Sequence, residues 1–128
     1  MSELSFIFHV DDDEDILDMA RMSLEMVGSF HVEQANLPLK ALEKIQGLEP
    51  DLLLLDVMMP DMDGPQLFRE IRKMPGYEHL PVVFMTAKAQ AIQTDELQGD
   101  GVLGVVAKPF DPMELPEQVR QLWNEHTG

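Results

Sequence analysis

The sequence predicts an α/β fold: a doubly wound, five-stranded parallel sheet with five helices. Short apolar runs recur along the chain, helical patterns fall between them, and the connections are short enough for right-handed crossovers. The run DLLLLDV from Asp51 to Val57 is the most telling of these. Four consecutive leucines bounded by turn residues describe a strand covered on both faces. Leucine is a good helix former, but Pro50 and Pro60 leave too little room for a helix.

Taken in order, Phe6 to Val10 is a short run of β-formers that ends abruptly in acids. From Asp15 a helical pattern runs to Val27, with Ile16, Ala20, Leu24 and Val27 on one face and Gly28 as its stop. Phe30 to Ala35 alternates like a half-buried strand, Phe30 and Val32 sharing a face. Asn36 is the expected N-cap of a helix that holds Leu39, Leu42 and Ile45 and closes at Gly47. After the leucine strand, PDMDGP reads as a loop, and Leu67, Phe68 and Ile71 mark the next helix. Pro81 to Met85 and Val102 to Ala107 are the fourth and fifth strands, with a weakly helical stretch from Ala87 to Leu97 between them. Asp111 and Glu114 form a capping box with Pro112 at the first helical position, opening a helix through Trp123. Pro116 inside that helix predicts a kink or a ragged first turn. The expected organisation is a single domain over residues 1–128 with its core in 4–123 and no output domain.

Composition narrows the function. With 128 residues and 45% hydrophobic content, the chain is large and apolar enough for a real core. The absence of cysteine excludes disulfides and thiolate metal sites. Nine basic against 24 acidic residues give a net charge of −15, so neither nucleic acid nor an anionic membrane surface is expected as a partner. No apolar run spans a membrane, and MSELSFIFHV lacks the features of a secretory signal, so a cytoplasmic location is expected.

In an open parallel sheet, ligands bind beyond the carboxyl ends of the strands. There the chain places Asp11, Asp12 and Asp13 after the first strand, Asp56 after the third, Thr86 after the fourth and Lys108 after the fifth. Crowded carboxylates repel one another and become avid for a hard divalent cation. Mg²⁺ suits such a site, with Mn²⁺ as a substitute. Lys108 adds a compact positive charge and Thr86 a hydroxyl, the groups that hold phosphoryl oxygens.

These fragments, VDD, LLLLDVMMPDMDG, MTA and KPF, stand in order at the proper strand ends. Through them the sequence resembles the receiver domain of two-component response regulators, the fold typified by the chemotaxis response regulator. The resemblance covers residues 4–123. It implies that Asp56 is the nucleophile, taking a phosphoryl group from the phosphohistidine of a sensor histidine kinase or histidine phosphotransfer protein to become 4-aspartylphosphate. It also implies that Asp12 ligates Mg²⁺ directly and Asp11 largely through water, with Asp56 and the Met58 carbonyl completing the set. Thr86 and Lys108 would hold phosphoryl oxygens, and Lys108-Pro109 matches the position of a cis peptide that aims the lysine. Three aspartates in a row leave the register open by one residue. Asp11 and Asp12 are assigned because Val10 precedes them and Ile16 then falls at the family's first core position of the helix.

Two departures stand out. Where the family usually carries an aromatic residue or histidine, three residues before the lysine, this chain has Val105, so the usual ring switch is missing. Met58 and Lys88 occupy the positions that tune hydrolysis of the phosphoryl group, and the bulk of Met58 is expected to shield it from water.

Other readings are weaker. Acids at a helix N-terminus favour the helix dipole without any ligand, but a carboxylate after four buried leucines needs a partner. The segment from Asp61 to Gly64, with Glu70 in the closing position, resembles part of a calcium-binding EF-hand. Met59 in the first ligand position and the flanking strand favour a turn with a helix cap instead. A small-molecule phosphatase would need an acid where Met58 stands, and a flavodoxin-like carrier a Ser/Thr/Gly-rich loop in place of the acids. A degenerate receiver that binds partners constitutively conflicts with the intact Asp12, Asp56, Thr86 and Lys108. The chain is therefore expected to be no enzyme beyond its own phosphorylation and dephosphorylation, and to signal to a downstream protein or onward in a relay. Most of the ten methionines are expected in the core; Met19, Met22 and Met26 widen the apolar side of the first helix, which fits core packing first and the docking of a partner's helices second. His9, His31, His79 and His126 are scattered and read as structural or surface residues.

Overall fold

The leucine run forms β3 (Leu52–Asp56), the centre of the sheet, and every residue of it is buried. The structure is a computed structural model and describes residues 3–87 and 97–127. Parallel to β3 lie β1 (Phe6–Val10) on one side and β4 (Val82–Thr86) on the other. The edges are β2 (His31–Ala35) and β5 (Val102–Ala107), giving the order β2-β1-β3-β4-β5. Pleating divides the leucines between two apolar layers. Leu52 and Leu54 pack with Ile7, Val83 and Trp123, whereas Leu53 and Leu55 pack with Phe8, Phe84 and Ile71. With a core on both faces, the strand has no position for a polar residue until Asp56.

The first layer is covered by α1 (Glu14–Met22), its continuation as a π-helical turn over Ser23–Val27, and α4 (Leu115–Thr127). The second is covered by α2 (Pro38–Lys44) and α3 (Gly64–Arg72). Four α-helices are thus seen among the described residues where five were expected. The stretch from Ala87 to Leu97 lies outside them except for its two ends, and Leu97 is buried in the second layer.

Several local expectations are corrected. Asn36 does not cap α2, because Leu37 takes that place with extended backbone while Asn36 Nδ2 donates to Glu14 Oε2 at 2.9 Å. Pro38 in the first turn has a preset φ and no amide to satisfy, which makes a side-chain cap dispensable. Leu39 is 60% exposed, since the buried stripe of α2 runs through Pro38, Ala41 and Ile45. Val27 is exposed as well. The π turn widens the helix, so a three-residue step from Leu24 no longer returns to the same face. Gly28 does stop it, its amide donating to the Ser23 carbonyl at 3.1 Å. The ragged start expected near Pro116 is present: residues 112–114 form turns and α4 begins at Leu115. Asp111 caps this turn through the Met113 amide, while the Glu114 amide goes to the Asp111 carbonyl, so the expected capping box takes another form.

Candidate functional site

Parallel pairing brings the carboxyl ends of the strands to one edge, and the candidate residues with them. Asp11 follows β1, Asp56 and Thr86 are the last residues of β3 and β4, and Lys108 follows β5. The Lys108 amide donates to the Thr86 carbonyl at 2.9 Å, continuing the ladder just past the strand ends. The Lys108-Pro109 peptide is cis. Behind Asp56 the chain turns back through the loop and enters α3 at Gly64, whose amide donates to the Val57 carbonyl at 2.9 Å. A Cβ at Gly64 would collide with the Asp56 carbonyl oxygen, so only glycine allows this close approach. Asp63 caps α3 by accepting from the Gln66 amide at 2.8 Å, the turn-with-cap role expected of that loop.

The three acids form one cluster. Asp11, Asp12 and Asp56 each offer an oxygen within 4.8 Å of the others, while Asp13 turns away to cap α1. Asp11 and Asp56 are buried and Asp12 is exposed. Lys108 Nζ reaches Asp11 Oδ2 at 2.6 Å and Asp56 Oδ1 at 3.0 Å, joining the two buried carboxylates. Burial first, and the Asp11 charge second, push the Asp56 carboxyl up to about 6. Burial likewise raises Asp11, against the pull of Lys108. At Lys108 burial works against the charge, yet Asp11 and Asp56 together outweigh it and hold the ammonium above its ordinary value. Such a set of hard oxygen donors, short of positive charge and open to solvent at Asp12, fits Mg²⁺.

Thr86 is buried at the end of β4. Met58 is 56% exposed, and its backbone amide hydrogen-bonds Asp56. Lys88 lies outside the described residues. Val105 is half-buried on the edge strand β5, against the second layer. Met19, Met22 and Met26 are exposed and join Val27, Pro112 and Met113 in an apolar groove of about 280 Å³. His9 gave no functional signal in the sequence. It is fully buried beneath Asp11, with Nδ1 3.1 Å from Gln34 Nε2 and no partner for Nε2 among the described residues. Its position two residues before Asp11, hence on the same face of the strand, was the only available clue.

Comparison with known proteins shows the family and the fold. The model of the response regulator receiver domain matches residues 7–120. Response regulator Rre1 of Synechocystis is 36% identical over 124 residues, covering 95% of this chain and 53% of that protein. The signal transduction histidine-protein kinase BarA of Escherichia coli is 34% identical over 99 residues, covering 73% of this chain and 11% of BarA. This chain thus spans about half of the first relative and a small part of the second. Among solved structures, the chemotaxis response regulator CheY4 of Vibrio cholerae superposes with a TM-score of 0.82 at 28% identity, covering 93% of this chain and 98% of that one.

Proposed function

The chain belongs to the response regulator receiver family, and on that premise we propose that Asp56 accepts a phosphoryl group from a sensor histidine kinase or a histidine phosphotransfer protein. The observation that carries this reading is the placement of the Asp56 carboxylate, 3.0 Å from Lys108 Nζ and within the cluster of Asp11 and Asp12. In the transfer an Asp56 oxygen attacks phosphorus in line. The O–P bond forms as the N–P bond of the donor breaks, and the electron pair returns to the departing imidazole. At neutral pH Asp56 is mostly ionised and its lone pairs are free to attack. Lys108 is poised to exchange a carboxylate for a phosphoryl oxygen, and the Thr86 hydroxyl at the neighbouring strand end takes another. Asp11, Asp12, Asp56 and the Met58 carbonyl would hold Mg²⁺, which supplies charge neutralisation for the phosphoryl oxygens when bound.

With no ring at Val105 to move, the output of phosphorylation is read elsewhere as a changed affinity for a protein partner or as onward transfer in a relay. The apolar groove beside α1 supports helical docking, since soluble chains seldom leave such a methionine cluster exposed without use. Action in the cytoplasm is part of the same proposal; among the described residues no helix is long and apolar enough to cross a membrane.

Intact mass after incubation with Mg²⁺ and phosphoramidate tests the proposal on the parent and on Asp56→Asn. A gain of one phosphoryl group that needs both Mg²⁺ and Asp56 supports it. No adduct on a chain that binds Mg²⁺ and fails to take up beryllofluoride would identify a constitutive binding module instead.

A further inference from the structure

Gln34 lies in β2, and its carboxamide touches both flanks of the turn that carries Asp11 and Asp12. Its Nε2 donates to the Leu17 carbonyl at 2.7 Å and lies 3.1 Å from Nδ1 of His9, while its Oε1 accepts from Arg21 Nε at 3.2 Å. His9 stands two residues before Asp11 in β1. Leu17 lies one helical turn beyond Asp13, whose carbonyl accepts from the Leu17 amide at 3.0 Å. A single nitrogen therefore ties the strand leading into the acidic turn to the helix leading out of it.

The partners settle the orientation of this tie. The Arg21 guanidinium only donates and must face the carboxamide oxygen; the Leu17 carbonyl only accepts and must face the nitrogen. The second N–H of Gln34 is then directed at His9, which makes Nδ1 the acceptor and places the ring hydrogen on Nε2. That N–H is buried and has no partner among the described residues. An apolar side chain at position 9 would fill the same layer without stranding a donor, so packing alone does not account for the histidine. What imidazole supplies there, and leucine lacks, is an acceptor for Gln34.

The turn has reason to need bracing. Carboxylate oxygens of Asp11, Asp12 and Asp56 crowd within 4.8 Å, and their repulsion drives the turn apart. Lys108 offsets this at Asp11 and Asp56, whereas no ion pair reaches Asp12 among the described residues. We infer that Gln34 is a positioning residue for the divalent-cation site, holding the two flanks of the Asp11–Asp13 turn at a fixed separation with His9 and the Leu17 carbonyl as its anchors. This rests on the reading of the acidic cluster as a Mg²⁺ site and extends it to a residue of β2 outside the cluster.

The test is Mg²⁺ calorimetry on the parent, His9→Leu, Gln34→Leu and the double variant, with thermal unfolding of each metal-free chain. Each single variant is expected to bind Mg²⁺ about tenfold more weakly, the size usual for loss of a residue that orients metal ligands. The double variant should bind no more weakly than Gln34→Leu alone, because that variant already removes the bond His9 makes along with the Leu17 anchor. His9→Leu removes the unpaired Nε2–H but leaves one Gln34 N–H without its acceptor, so its unfolding temperature should stay close to the parent's. In phosphoramidate assays the Mg²⁺ concentration for half-maximal rate should rise while the rate at saturating Mg²⁺ holds. A purely structural role predicts the reverse split, a lower unfolding temperature with parental Mg²⁺ affinity, and that outcome overturns the inference. Additive losses in the double variant overturn it too. Should Gln34→Leu fail to fold, His9→Leu decides alone. A parent that binds no Mg²⁺ brings down the site reading and this inference together, whereas a binding parent with unchanged variants removes only the inference.

Discussion

Asp51 and Asp56 stand at the two ends of β3, and their carboxylates keep different company. Asp51 Oδ2 accepts from the Ser5 amide at 3.0 Å, the Ser5 hydroxyl at 3.0 Å and the Phe6 amide at 2.9 Å. It fastens the start of β1 to the start of β3, and its charge is spent on neutral donors. Asp56 faces two acids and shares one lysine, so its charge is only partly compensated and its proton is held more tightly than usual. The difference separates a carboxylate of the fold from a carboxylate of the proposed site: the first is satisfied, the second is left short of positive charge.

Substitutions can sharpen or break that contrast. Asp56→Asn has the largest effect: phosphoryl acceptance is lost altogether, while the metal-free chain gains about 2 kcal/mol at neutral pH because a buried, crowded charge is removed. The gain depends on pH with a definite sign. The folded chain holds the Asp56 proton more tightly than the unfolded one, so this group's stabilising contribution is full below the ordinary 3.8 and is lost as pH rises through about 6. Denaturant titrations should therefore show the two proteins converging as pH falls from 6 to 4. A variant less stable than its parent at neutral pH would move Asp56 into the class of Asp51.

Lys108→Met comes next, with an expected slowing of phosphorylation by phosphoramidate of about a hundredfold if the ammonium beside Asp56 is the cation proposed to meet the phosphoryl oxygens. Stopped-flow or quenched mass measurements read this directly, and a parental rate would show that the lysine serves only to pair with Asp11. Asp51→Ala should invert the pattern, costing about 2 kcal/mol of stability as three donors lose their acceptor, with phosphorylation unchanged. A phosphorylation defect at full occupancy of the folded state would dissolve the distinction between the two aspartates. Met58→Asn is the mildest: if the exposed Met58 side chain shields the phosphoryl group, replacing it should admit water and speed loss of that group severalfold. If the parent loses it no more slowly than the variant, the shielding role is wrong.

What the sequence disclosed follows from how local each signal is. The leucines of β3 and the acids, threonine and lysine after the strands are read from short segments, and parallel pairing alone brings their ends together. The Asn36 cap and the inward Val27 failed because a proline and a π turn reset the local geometry, and neither effect shows in apolar spacing. The tie of His9, Gln34 and Leu17 was illegible for another reason. It depends on the register of β1 against β2, in which His9 faces Gln34, and on how α1 lies over both. A lone histidine before the acids carried no sign of that partner.

The most direct test of the central claim is a site-resolved carboxyl titration by NMR, with and without Mg²⁺. Without metal, the Asp56 signal should titrate near 6, and with Mg²⁺ the transition should move to lower pH because a bound cation favours the ionised form. The Asp51 signal should not respond to Mg²⁺. An Asp56 carboxyl that titrates in the ordinary range and ignores Mg²⁺ would contradict the account.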